Sequence, residues 1–138
     1  MLFRSIKGSI LNAGDMVKTG EGRAQIRFTD GGYTSLQPQT EFRIDDYEYR
    51  REKPEASRGF FSLLKGGLRT ITGAIGRVVN QAYRVSTPVA TIGIRGTHYG
   101  LRLCAAGDCA AEGVALDGLF GSVIDGRISS ANTRGDRT

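Results

Sequence analysis

The sequence predicts an all-β protein, and three observations carry that prediction. Glycine occupies 20 of 138 positions, about twice its ordinary share of about 7%. Because glycine costs about 1 kcal/mol relative to alanine inside a helix, such a chain suits short strands and tight turns better than long helices. Two stretches alternate with the two-residue period of a half-buried strand: Ala24, Ile26 and Phe28 against Arg23, Gln25, Arg27 and Thr29, then Phe42 and Ile44 within residues 41–45. Residues 82–103 are rich in β-branched residues and punctuated by glycine.

Taken in order, residues 14–22 read as a short strand between glycine turns, followed by the alternating strand of residues 23–29. Asp30-Gly31-Gly32 supplies the positive-φ residues of a hairpin turn, and Tyr33 to Leu36 begin the return strand. Gln37-Pro38-Gln39 is a turn before the strand at 41–45. Residues 46–58 gather Asp46, Glu48, Arg50, Arg51, Glu52, Lys53, Glu55 and Arg58 around Pro54, which predicts a solvated loop or insertion. In residues 60–79, Phe60, Leu64, Leu68, Ile71, Ile75, Val78 and Val79 fall at helical spacing beside Lys65, Arg69 and Arg77, the pattern of a basic amphipathic helix. Gly66, Gly67, Gly73 and Gly76 would cost that helix about 3 to 4 kcal/mol, and Thr70 and Thr72 favour strands. Two short strands are expected instead, 60–64 and 68–72, with a helical turn after Gly73. Pro88 marks a strand start or bend within 82–103. A turn between Cys104 and Cys109, a last strand over 118–124 and a polar tail over 127–138 complete the chain.

The length fits one domain, placed at residues 1–126 with residues 46–58 as its charged loop. The net charge of +5 from 19 Lys+Arg and 14 Asp+Glu favours an anionic partner without choosing among nucleic acid, lipid and polysaccharide. No run of 18 or more apolar residues predicts a membrane-spanning helix, and residues 1–8 show no export signal.

Catalytic and metal motifs are sparse. Cys104 and Cys109 lack the further ligands of a zinc site, and four residues separate them where the redox motif has two. A structural disulfide across a hairpin is expected, contributing about 2 kcal/mol and implying an oxidising compartment; two reduced thiols are the alternative. His98 is the single histidine, with Thr97, Ser86 or Ser122 as imaginable nucleophiles and Asp108 or Asp125 as orienters. No nucleophile elbow, metalloprotease motif or phosphate loop accompanies it, so neither catalysis nor a cofactor is expected. Arginines and lysines are spread at single positions: Arg23, Arg27, Arg43, Lys65, Arg69, Arg77, Arg84, Arg95, Arg102 and Arg127. Aligned, they would make a ladder for an anionic polymer, with Arg84, Arg95 and Arg102 as its contacts; otherwise they form a solvated face that discourages edge aggregation. Five scattered tyrosines without a recognised module do not predict nucleic-acid binding.

Three segments together resemble the FecR domain of bacterial cell envelopes. They are Gly14-Asp15-Met16-Val17-Lys18-Thr19-Gly20-Glu21-Gly22-Arg23-Ala24 with Ile26 to Gly31, then Leu63-Leu64-Lys65-Gly66-Gly67-Leu68-Arg69, then Tyr83 to Thr97. Thr87, Pro88, Ala90, Thr91, Ile92, Gly93, Arg95, Gly96 and Thr97 form the most specific part. The resemblance covers residues 10–126 and implies short strands wound into a solenoid-like or rolled sheet, a periplasmic location and a sensing or interaction role without catalytic residues. Members that relay siderophore uptake to a sigma factor add a membrane helix and a cytoplasmic segment. Neither is in this sequence, so it resembles the free-standing variety. His98 departs from the family pattern, and no role is carried over to it. The expected partner is an envelope protein, bound by a strand edge or sheet face, or else an anionic glycan or cell-wall polymer bound by the arginines. Strand glycines such as Gly93, Gly96 and Gly100 are expected to mark bulges, corners or close backbone packing.

Overall fold

The alternating stretches become strands of one sheet. The computed structural model describes residues 10–78, 82–104 and 118–132, with 77–78, 94–97 and 124–132 described by backbone alone. Its strands are β1 (Met16–Lys18), β2 (Ala24–Arg27), β3 (Tyr33–Leu36), β4 (Glu41–Glu48), β5 (Arg58–Ile71), β6 (Tyr83–Ser86), β7 (Ala90–Cys104) and β8 (Gly118–Asn132). A 3-10 turn at Pro54–Ala56 and the short helix α1 (Ala74–Val78) interrupt them. The protein is all-β, as the glycine content and alternation predict.

The sheet runs β1-β4-β5-β6-β7-β8, with β2 paired to β3 and β3 to β5, and it is not closed. Neighbouring strands are antiparallel except β5 and β6, which are parallel. Strand β5 is the hub. Its first half pairs with β4 on one edge and β6 on the other, and its second half with β3 and β7.

The hand-over from β4 to β3 falls at Gly66, and here the structure corrects the reading of two short strands over 60–72. They are one strand with a bulge: Glu41 pairs with Lys65 but Phe42 with Leu63, which leaves one extra residue on β5. The bulge changes the parity of the buried face, from Phe61 and Leu63 before it to Leu68 and Thr70 after it, and so breaks the simple alternation. Gly66 adopts φ +85°, and a Cβ there would lie 2.6 Å from Thr40 Cα and 2.8 Å from the Gln39 carbonyl oxygen. Gly67 N–H donates to the Thr40 hydroxyl at 3.0 Å, and that hydroxyl donates to the Gly67 carbonyl at 3.1 Å. The loop expected over 46–58 is also shortened, because β4 continues through Glu48 and β5 begins at Arg58. The strand expected over 118–124 runs on to Asn132.

One face of the sheet holds the core. Val17, Ala24, Ile26, Leu36, Phe42, Ile44, Phe61, Leu63, Leu68, Val85, Ile92, Leu101 and Leu103 are buried in one cluster with Ile75 of α1. Phe61 is its aromatic centre, with ring centroids 5.3 Å from Phe28, 5.5 Å from Phe42 and 5.5 Å from Tyr83. Edge-to-face and offset pairs at these distances add about 0.5–1.5 kcal/mol each beyond burial. Tyr83 and Tyr99 are buried with their hydroxyls 2.7 Å apart. Asp30 ties the β2–β3 hairpin to α1: its carboxylate accepts from Gly32 N–H at 2.9 Å and Ile75 N–H at 3.1 Å, and its carbonyl accepts from Ala74 N–H at 3.0 Å.

Two outcomes follow for stability. Gly31, at φ +90° with open space around its Cβ direction, should cost about 1–2 kcal/mol when replaced by alanine. Gly66→Ala adds overlap with Thr40 to the same backbone strain, a further cost of about 1–3 kcal/mol, so urea denaturation should rank Gly66→Ala as clearly the more damaging. Burial raises Tyr99 to about 12 and Tyr83 well above the ordinary value of 10. Above pH 10 the unfolded chain loses these protons while the folded one keeps them, so stability should fall as pH rises from 10 towards 12. Tyr99→Phe should flatten that fall in a pH series of thermal melts.

Candidate functional site

The outer face of the sheet divides into two territories, set by which residues alternate away from the core. Across β4 and the first half of β5, charges are paired. Arg58 bonds both Asp46 and Glu48, Arg50 bonds Glu48 at 2.9 Å, and Arg43 bonds Asp45. The Arg58 side-chain hydrogen bond is the main cause holding the Asp46 and Glu48 carboxyls below their usual range. These arginines are thereby committed to neighbouring carboxylates.

Across β2, β3, the second half of β5, β7 and β8 the balance differs. Arg27 lies over the Tyr33 ring, 5.8 Å from its centroid, and no ion pair is found for Arg27 or exposed Arg69 among the described residues. Arg69 and half-buried Arg102 line a shallow depression of about 270 Å3 with Gln37, Phe120 and Ser122 around a floor that includes Gly100 and Gly121.

Of the expected arginine contacts, Arg84 and Arg102 lie far apart on the sheet. Arg84 stands opposite Gly93 and lies over the Phe60 ring, 4.5 Å from its centroid. Arg102 stands opposite Gly67 and Phe120. Arg102 lies nine positions along β7 from Gly93, about 30 Å of extended strand. Arg95 pairs with Arg127 in the β7–β8 ladder, and their side chains lie outside the described residues. Sequence reasoning missed that Arg69 belongs beside Arg102; the available signal was the tripeptide Gly-Leu-Arg, which occurs at both places.

The segment from Thr87 to Thr97 is built for a turn and a strand. The Thr87 hydroxyl donates to the Ala90 carbonyl at 2.8 Å and accepts from Ala90 N–H at 3.0 Å, closing the β6–β7 hairpin around Pro88 and exposed Val89. Ile92 enters the core, Ala90 packs against it, and Thr91 pairs with Ser86 on the outer side. Gly96, one of the glycines expected to mark a bulge, corner or close packing, falls inside the β7–β8 register shift between Arg95 and His98; the Thr97 side chain lies outside the described residues. The profile of the family described as FecR protein matches residues 15–118, about three quarters of the chain. The chain belongs to the FecR family. FecR domains are periplasmic, envelope-associated sensing and signalling domains, and no curated protein matches this FecR chain. Among the described residues, no helix of this FecR domain is long and apolar enough to cross a membrane.

Other expected positions are placed as follows. His98 is half-buried in β7 opposite Ile71 and Asp125, and among the described residues its Nε2 has no hydrogen-bond partner. Ser86 pairs with Thr91, and Ser122 with Gly100; Asp108 and the side chain of Asp125 lie outside the described residues. Cys104 is buried at the end of β7, while Cys109 lies outside them. The outer edge of β8 pairs with no strand among the described residues. Phe120 and Val123 on that strand are 43% and 44% exposed.

Proposed function

We propose that this FecR domain is a non-enzymatic sensing module of the cell envelope that takes a protein partner along the outer edge of β8. The observation that carries this reading is the edge itself. It is 15 residues long, exposes Phe120 and Val123, and has Asp125 and Arg127 as its charged residues. Natural edge strands are commonly short, covered or heavily charged, because an open edge recruits further strands. A long, sparsely charged edge suits β-augmentation, in which main-chain hydrogen bonds bind and alternate side chains select. The non-enzymatic part is supported by a sequence without hydrolase, metalloprotease or phosphate-loop motifs.

The periplasmic placement of this chain is supported by its family, and a Cys104–Cys109 disulfide would suit that oxidising compartment. A rolled winding of the open sheet is supported by the core, since a single face that buries so many side chains must curve around them. A second reading, binding of an anionic glycan or cell-wall polymer, is favoured by Arg27 and Arg69, outer-face cations without an ion pair among the described residues.

Pull-down from an envelope extract should recover a specific protein with the native domain and lose it with Val123→Lys, while the thermal melt of the variant stays within about 0.5 kcal/mol of native stability. Equal recovery by the two proteins would overturn edge docking. Thiol titration of protein exported to the periplasm should find no reactive thiol before reduction and two after it. Two reactive thiols in the native protein would remove the disulfide.

A further inference from the structure

Two copies of one tripeptide, Gly67-Leu68-Arg69 and Gly100-Leu101-Arg102, lie antiparallel on neighbouring strands. The register pairs Gly67 with Arg102, Leu68 with Leu101 and Arg69 with Gly100, a local two-fold arrangement. Both leucines are buried, at 3% and 4% exposure, so strand alternation assigns both glycines and both arginines to the outer face. Each arginine is faced across the strand pair by a glycine. No side chain therefore stands between the two, which are diagonal neighbours with Cβ atoms about 7 Å apart.

The glycines make the depression. A Cβ at Gly67 would come within 3.0 Å of Arg102 Cδ and of the Leu101 carbonyl, and one at Gly100 within 2.9 Å of Ser122 Oγ. Its volume of about 270 Å3 falls below the roughly 300–1,000 Å3 of sites that enclose drug-sized ligands, so it suits one sugar ring and not an extended cofactor. Phe120, paired with Arg102 across β7 and β8, adds an exposed apolar ring at the rim. Ser122 and Gln37 add a hydroxyl and an amide able to bond sugar hydroxyls.

We propose that this twin Gly-Leu-Arg site binds a carboxylate-bearing sugar unit of an acidic polysaccharide, an inference that rests on the glycan reading above. Arg69 supplies the accessible guanidinium fork, whose geometry matches a carboxylate in two parallel hydrogen bonds. Arg102 adds positive charge from the far side of the depression, and Phe120 receives the apolar face of the sugar ring.

The test is calorimetric titration of the intact domain at low salt with tetragalacturonate, maltotetraose, galacturonate and inorganic phosphate. Tetragalacturonate should bind, with maltotetraose at least tenfold weaker. Arg69→Ala and Phe120→Ala, both at exposed positions, should each weaken tetragalacturonate at least tenfold without moving the thermal melt. Arg69→Lys should fail to restore it, because an ammonium lacks the fork. Tetragalacturonate binding that both alanine variants leave unchanged overturns this site while the glycan reading stands. No binding of either acidic sugar overturns both. Phosphate binding as tight as tetragalacturonate overturns the sugar assignment, and galacturonate binding as tight as the tetramer overturns the polymer as the source.

Discussion

The contact between Thr40 and Gly66-Gly67 is the constraint on which the sheet depends. Thr40 is wholly buried, and its hydroxyl closes onto both polar groups of Gly67 at the place where β5 leaves β4 and takes up β3. A buried polar side chain is tolerated only when its hydrogen bonds are made, and here they are made to the backbone of the shared strand. The close approach requires that position 66 carry no Cβ and tolerate positive φ. Because β5 touches four other strands, displacing it at this point would disturb each of their ladders.

The remaining core follows from that strand. With β5 in register, Phe61 stands among Phe28, Phe42 and Tyr83, and the chain of rings continues to Tyr99. Asp30 then fastens the β2–β3 hairpin to α1 and accepts the backbone groups that its turn and the short helix leave over. Gly73 permits that attachment, since a Cβ there would lie 2.5 Å from the Asp30 carbonyl oxygen. Tyr47 closes the other side, receiving the Asp30 N–H at 3.1 Å.

The same strand organises the surface. Before Gly66, its outer neighbours are arginines bound to carboxylates; beyond it, Arg69 meets Arg102 around two glycines. Arginines spread singly along the strands therefore fall into two unlike groups in space. The edge of β8 exposes main chain as well as side chains, and Phe120 on that strand also lines the depression between Arg69 and Arg102.

Much of the fold was legible in local pattern. The alternations at Ala24 to Phe28 and Phe42 to Ile44, the Asp30-Gly31-Gly32 turn and the helical turn after Gly73 follow from short-range sterics and periodicity and suffice for an all-β fold, while the family was legible only through the resemblance of its three segments. Continuity of β5 was not legible, because its bulge reverses the alternation and its glycines look like strand breaks until Thr40 is seen against them. The association of Arg69 with Arg102 was equally hidden, since 32 residues of chain lie between positions that the ladder makes neighbours. Sequence by itself determined which segments are strands and turns, for these depend on each residue's own backbone preferences and near neighbours. Which strand lies beside which, and hence which charges meet, only the tertiary structure decided, because cross-strand register is set by burying one common face.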